Sequence, residues 1–541
     1  MSGHPASSEF ELSAVASNVL QSADSQHKKA SLALREEKSG RDAGDLGRGN
    51  VGMIQLDRRC LLQTAAGLSV AEWSDSSGNG HLRAGEVGQA ATFGRAKKVL
   101  LIYLQGAASQ LETWDPKPDA PAGIRGQWGA VSTAVPGVAI CEKLPRLAAL
   151  TDRMAIVRSM THDHNNHSNL YTLSGAPAVD FSSETNPQDT RHRPFFGSVL
   201  DYLADRSGGI GTPEVPRNIG LPWRFSSFTP FVRRAGPYAS FLGHGYNPVW
   251  TEFDGEATQK VPRVSFFDPL NDVVVADPFL GITPESRLRI SKEAQLSDTM
   301  QHDRLFKRRA LLEKLDPVQG FAHRNKVGKN VDRYAQMAYT LMTSSTLRDA
   351  LDVGQEPMSL REKYGMTLFG QSALTARRLL EAGCHFVSVF WDEYKVINTA
   401  WDTHFNHFTR LGNELLPGFD AGLSALLTDM EARGLLDETL VMCLTEHGRT
   451  PKINPERGGG RDHWSQVYSV MLAGAGIRSG TVVGASDAIG GFVKERPVTP
   501  EDILATMYHL TGIHPDAVVP DLRNRPVRLV DNGTLIDELI V

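Results

Sequence analysis

Short apolar runs, none alternating like a half-exposed strand, punctuate the chain from position 97 onward. They lie at Lys97–Leu104, Met154–Arg158, His385–Phe390, Thr439–Leu444 and Val467–Leu472. Runs of this length, rich in Val, Ile, Leu and Met, read as strands buried on both faces. Between them the apolar period changes to three or four residues. Leu411, Leu415, Phe419, Leu423, Leu426, Leu427 and Met430 form one stripe, which predicts a helix from about Phe408 to Arg433, kinked at Pro417. A further helix is predicted to begin after Thr499 as N-cap. Pro500 stands at its first position, and Ile503, Met507 and Leu510 lie on its buried face. Strands alternating with helices predict an α/β fold, a mainly parallel central sheet with helices on both faces.

Residues 1–95 have another character, rich in Ser, Gly, Ala, Lys and Glu with no sustained apolar period, and are expected to be a disordered N-terminal segment. Within it, Arg58-Arg59-Cys60-Leu61-Leu62 and the weakly apolar stretch through Ala71 look like a twin-arginine export signal. That reading places the protein outside the cytoplasm, in the periplasm or beyond; a chance arginine pair in a flexible tail would leave it cytoplasmic. Residues 96–541 then form the folded domain. Positions 205–330, rich in Pro, Phe and charge without clear alternation, are expected to be an insertion or lid.

Composition removes several classes of function. Lys and Arg total 57 against 62 Asp and Glu, a net charge of -5, so no basic excess exists to draw nucleic acid by its phosphates. Cys60, Cys141, Cys384 and Cys443 are scattered without a CxxC pair, which excludes a zinc knuckle and a disulfide framework and leaves the thiols as packing residues. No stretch approaches the roughly 20 apolar residues of a membrane span.

Ligands of open parallel sheets sit beyond the carboxyl ends of the strands, so polar clusters at those places carry most weight. Thr161 to Ser168 contains His162, His164, Asn165 and His167. Trp401 to His407 contains Asp402, Thr403, His404 and His407. Thr445-Glu446-His447-Gly448-Arg449 follows another strand, and Gly460-Arg461-Asp462-His463-Trp464 precedes the last. Imidazole and carboxylate together suit a divalent metal, zinc or manganese first, with calcium as the alternative. Each cluster also has a plainer use. Asp402 or Thr403 could cap the following helix, Glu446 and His447 could sit in a loop before Pro451, and Asp462 could pair with Arg461 or Arg449.

With these residues in view, the sequence resembles a bacterial family of unknown function, sulfatase-like and usually exported, near the alkaline phosphatase superfamily. The resemblance runs from about Val99 to Pro515. It rests on Trp114-Asp115-Pro116-Lys117-Pro118-Asp119-Ala120-Pro121, Val157-Arg158-Ser159-Met160-Thr161-His162, Trp401-Asp402-Thr403-His404, Gly448-Arg449-Thr450-Pro451, Gly460-Arg461-Asp462-His463-Trp464 and Arg496-Pro497-Val498-Thr499-Pro500-Glu501-Asp502. It implies an alkaline phosphatase or sulfatase-like fold with one or two divalent metals. Thr445-Glu446-His447-Gly448 looks like a metal-binding Ser-Asp-His-Gly loop, His463 like the late metal-binding histidine, and Asp402 with His404 like an earlier ligand pair, although the short spacing leaves His407 as an alternative to His404. Two positions depart from that pattern. Gln105 follows the first strand where a metal-binding Asp is usual, and Asn165 stands in the nucleophile's place.

The resemblance therefore implies hydrolysis of phosphate or sulfate esters, small-molecule or glycan, by a metal-activated water. Asp402, His404, Glu446, His447 and His463 are the expected ligands. Asn165 and the amides of the following helix are expected to hold the ester, Arg449 to neutralise one of its oxygens, and His164 to act as general acid, with His164 or His167 as substitute nucleophile. The opposing expectation is a non-catalytic binding or assembly protein with a degenerate metal site, which Gln105 and Asn165 favour.

Overall fold

The computed structural model describes residues 91–207, 214–229, 233–264, 271–291, 326–395 and 400–541. The twin-arginine-like segment and Cys60 lie outside them. Order is established before position 96, since Thr92 is buried and its hydroxyl lies 3.1 Å from His509 Nε2.

A nine-stranded sheet organises the domain. Its strands, in chain order, are β1 (Lys98–Leu104), β2 (Met154–Met160), β3 (Asn218–Leu221), β4 (Val249–Asp254), β5 (Arg287–Ile290), β6 (Phe386–Trp391), β7 (Thr439–Leu444), β8 (Tyr468–Gly474) and β9 (Val482–Val483). Across the sheet they stand in the order β9-β2-β8-β7-β1-β6-β3-β4-β5. All pairings are parallel except those of β8 with β7 and β2 and of β5 with β4. The sheet is thus mainly parallel, and the buried apolar runs of the sequence are its centre. The described part of 205–330, expected to be an insertion or lid, adds β3, β4 and β5 to one edge of this sheet.

Burial on both faces explains why β1 reads as a continuous apolar run. Leu100, Ile102 and Leu104 enter one core, where they meet the helices α3 (Leu368–Glu381) and α4 (Leu416–Ala432). Val99, Leu101 and Tyr103 enter the other, against α2 (Phe196–Arg206) and α5 (Pro500–Leu510). Each fully buried side chain of this kind contributes about 1.5–3 kcal/mol. The remaining helix used below is α1 (Asn169–Ser174). Among the described residues no helix is long and apolar enough to cross a membrane. Cys141, Cys384 and Cys443 are free and buried, as packing residues should be.

Candidate metal centre

The chemistry-bearing loops converge at one sheet edge because of strand direction. β1, β2, β6 and β7 run the same way, so Gln105, His162 to His167, Asp402 and Glu446 leave the sheet on one side. β8 runs against them, so the chain segment that precedes it, with His463, arrives at that same side. Backbone bonds then tie the loops together. The Gln105 amide donates to Trp391 O (3.1 Å), Trp401 N–H donates to Gln105 O (2.8 Å), and the Thr445 hydroxyl donates to Leu104 O (2.9 Å). Gly106 adopts φ +102°, and a β-carbon there would stand 2.3 Å from Asp402 N. Only glycine lets the loops approach so closely. Trp401, edge-on to Trp391 at 5.5 Å and to Phe419 at 5.4 Å, anchors the loop that carries Asp402.

Within this frame the side chains gather in two overlapping groups. His167, His447 and His463 form one, Asp402, His404 and His463 the other, and in each the donor atoms lie within 4.8 Å of one another. His404 Nε2 is 3.0 Å from His463 Nε2 and 3.1 Å from Asp402 Oδ1. The buried Glu446 carboxylate accepts from Gly106 N–H (2.8 Å) and lies 2.7 Å from His167 Nδ1, whose Nε2 is 3.3 Å from Asp402 Oδ2. His447 is fully buried. Its Nδ1 is 2.7 Å from Gly448 O, while its Nε2 has no hydrogen-bond partner. An orphaned imidazole nitrogen beside two other imidazoles suits a metal, because an unpaired buried polar atom is otherwise costly.

Charge states fit the same purpose. Burial opposes ionisation of Asp402, but the Arg449 guanidinium and His167 outweigh it and hold the carboxyl well below its ordinary range. Glu446 is likewise buried yet lowered, chiefly by its hydrogen bond from His167. Burial holds His447 far below its ordinary value, helped by the charge of His167, and pushes His463 down to about 4. Both are therefore neutral at pH 7, the form that binds a metal. His167 behaves oppositely: burial lowers it, but Asp402 and Glu446 win and raise it.

Several expected residues stand elsewhere or do other work. Arg449 is fully buried and donates to the carbonyls of Gly106, Ala107 and Arg461 and to Asp402, so its N–H groups are engaged within the protein and it is an internal counter-ion of Asp402. Asn165 Oδ1 accepts from Ser465 N–H (2.9 Å) and fastens the strand-entry loop behind His463. The helix α1 starts only at Asn169. His164 packs edge-on against Tyr171 at 4.8 Å and belongs to neither donor group. The choice between His404 and His407 is resolved by direction: His407 turns inward to Glu112 Oε2 (3.0 Å) and Thr403 Oγ1 (2.7 Å), leaving His404 in the cluster. The capping roles fall away too, since Asn406 precedes the next helical turn. Asp462 pairs with neither arginine; its Oδ1 lies 3.0 Å from His404 Nδ1 and accepts from Asn454 Nδ2.

Sequence reasoning missed His167 as a donor and Glu112 as a support. His167 shares its loop with His162 and His164, and nothing in the local spacing distinguishes which of them turns toward the sheet edge. Glu112 lies far from every cluster, and only the fold brings it to Arg461 and His407.

A family model described as "Protein of unknown function (DUF1501)" matches residues 96–540. No curated protein matches the chain. Among solved structures, the lipoteichoic acid synthase LtaP from Listeria monocytogenes is similar at 10% identity, covering 83% of this chain and 78% of that one, with a TM-score of 0.32. PsFucS1 sulfatase from Pseudoalteromonas sp. is similar at 12% identity over 80% and 72%, TM-score 0.34. The phosphonate monoester hydrolase SpPMH from Silicibacter pomeroyi is similar at 12% over 79% and 76%, TM-score 0.29.

Proposed function

This chain belongs to the DUF1501 family of proteins of unknown function, and on that premise, which brings no reaction with it, we propose that the cluster is a divalent-metal centre hydrolysing phosphate or sulfate esters. The observation that carries the reading is convergence: Asp402, His404, His447, His463 and His167, from four separate loops, bring their donor atoms within 4.8 Å in two groups that share His463, with Glu446 bonded to His167. His447 Nε2, buried and unpaired beside the imidazoles of His167 and His463, supplies a free donor at that point. The prevalence of imidazole favours zinc or manganese over calcium, which takes oxygen ligands.

Asp402, His404 and His463 would hold one cation, with His447, His167 and Glu446 beside it. A bound divalent ion supplies a Lewis acid that acidifies water to a pKa of about 7 and polarises an ester oxygen. The protein's own part is to keep Asp402 and Glu446 ionised, to keep His447 and His463 neutral, and to hold the loops rigid through Arg449. His167, placed between the two carboxylates, can hold a proton for them and pass it to water or to a departing oxygen. His164, which belongs to neither donor group and packs on Tyr171, is not assigned that task.

Turnover of aryl phosphate and aryl sulfate by the zinc- or manganese-loaded protein tests the reading. The wild type is expected to hydrolyse at least one of them, and His463→Ala to lose activity by at least about a hundredfold with its circular dichroism unchanged. Undiminished activity in that variant would remove the proposed centre. A second reading, a binding or assembly protein on the same scaffold, is favoured by Gln105, whose buried Oε1 has no partner where a carboxylate would serve a second metal. Stoichiometric metal with no turnover on either ester class would select it.

A further inference from the structure

Residues 233–236 bridge two of the loops that build the centre. On one side the Arg234 amide donates to Ser226 Oγ (2.8 Å), and the Ser226 amide donates to Asp392 Oδ2 (2.7 Å), just beyond β6. On the other side the Ala235 amide donates to Glu184 O (2.7 Å). The Glu184 carboxylate in turn accepts from Ser168 Oγ (3.0 Å) and Asn166 Nδ2 (3.3 Å), which flank His167. A β-carbon on Gly236 would stand 3.5 Å from the side chains of Asn169 and Leu173 in α1. Arg234 is thereby fixed between the loop carrying Asp392 and Glu393 and the loop carrying His167.

Its half-buried guanidinium has no partner among the described residues. The carboxylates around it are engaged elsewhere. Glu393 accepts from the Thr229 hydroxyl (2.7 Å), Asp392 from Ser226 N–H and from Trp223 Nε1 (3.3 Å), Asp402 from Arg449, and Glu446 from Gly106 N–H. The backbone bonds on either side of Arg234 hold it next to the loops that carry Glu393 and His167. Burial raises the Glu393 carboxyl while the Thr229 bond and then Arg234 pull it down. A planar, unengaged guanidinium on backbone anchored between these two loops is complementary to a tetrahedral oxoanion, which it can meet with two parallel N–H bonds.

We propose that Arg234 is the oxoanion-recognition residue of this site, its guanidinium taking the non-bridging oxygens of the phosphate or sulfate group and holding that group against the donor cluster. The assignment rests on the functional reading above, and its test does not require turnover. Inorganic phosphate and inorganic sulfate are titrated calorimetrically into the full-length protein carrying one equivalent of zinc, and into Arg234→Gln and Arg234→Lys. The wild type should bind at least one anion, and the tighter of the two identifies the ester class. Arg234→Gln should weaken binding by about 10- to 100-fold, the loss of charge-assisted hydrogen bonds, while zinc content stays the same. Arg234→Lys, which keeps the charge and most of the stem, should fall between and guards against a variant that fails to fold. Equal affinity in wild type and Arg234→Gln, or no anion binding by the wild type, overturns the assignment. Turnover in a protein whose anion affinity ignores Arg234 would refute this residue alone, whereas anion binding without turnover would refute only the hydrolase.

Discussion

Buried beside Arg461, the Glu112 carboxylate is held at about 2, because the charges of Arg461 and His407 overcome the burial that would raise it. Arg461 donates from Nε and Nη2 to Glu112 and from Nη1 to the carbonyls of Thr450 and Pro451, which fixes the loop ending in Asp462 and His463. A folded value below the ordinary 4.5 means that this stabilisation is fully present above pH 4.5 and is lost as pH falls toward 2. The difference corresponds to about 3 kcal/mol. Glu112→Gln is therefore expected to lower stability at pH 7 by about 3 kcal/mol, with the gap to wild type closing as pH falls through that window in urea unfolding. A pH-independent gap would contradict the pairing. At this scale the residue types of the site are legible in the sequence, since His and Asp cluster where strands end. Their directions are not. Whether His404 or His407 faces the cluster depends on Glu112, nearly 300 positions away, and no local spacing encodes that contact.

The elements were more readable than the side chains, because burial on both faces writes a continuous apolar run. β1, β6, β7 and β8 agree with the sequence within two residues at either end, and β2 runs two residues further than its apolar stretch. The kink expected at Pro417 takes the form of a π-turn at Leu411–Leu415 directly before α4, which accommodates a residue with no N–H and a ring that crowds the preceding carbonyl. Short strands such as β3 and β5 escape notice, since four residues flanked by Pro or charge carry no periodicity. The reversed direction of β8 is equally invisible locally, although it brings His463 to the site. Thr499 was legible as an N-cap, and it forms a full capping box in which Asp502 also accepts from Thr534 N–H and Oγ–H. Thr499→Ala should cost about 1 kcal/mol in urea unfolding. The metal content of that variant should equal wild type, because α5 packs on the core and contributes no donor; a loss of metal would show that the sheet edge is softer than its hydrogen bonds suggest.

For the molecule as a whole, one topological fact joins fold to chemistry. A mainly parallel sheet sends β1, β2, β6 and β7 out on one side, and the reversed β8 returns a fifth loop to that side. Loops separated by hundreds of residues can then pool imidazoles and carboxylates that none could assemble alone. The α/β class follows from alternation of apolar periods, whereas the donor set follows only from three-dimensional closure. A net charge of -5 gives the surface as a whole no general attraction for a polyanion. The most direct test of the centre is elemental analysis of purified protein after incubation with zinc or manganese and removal of excess ion, compared with Asp402→Ala. At least one tightly held divalent ion per chain in the wild type, and its loss in the variant, is the predicted result; equal trace metal in both would contradict the assignment of this cluster as a metal centre.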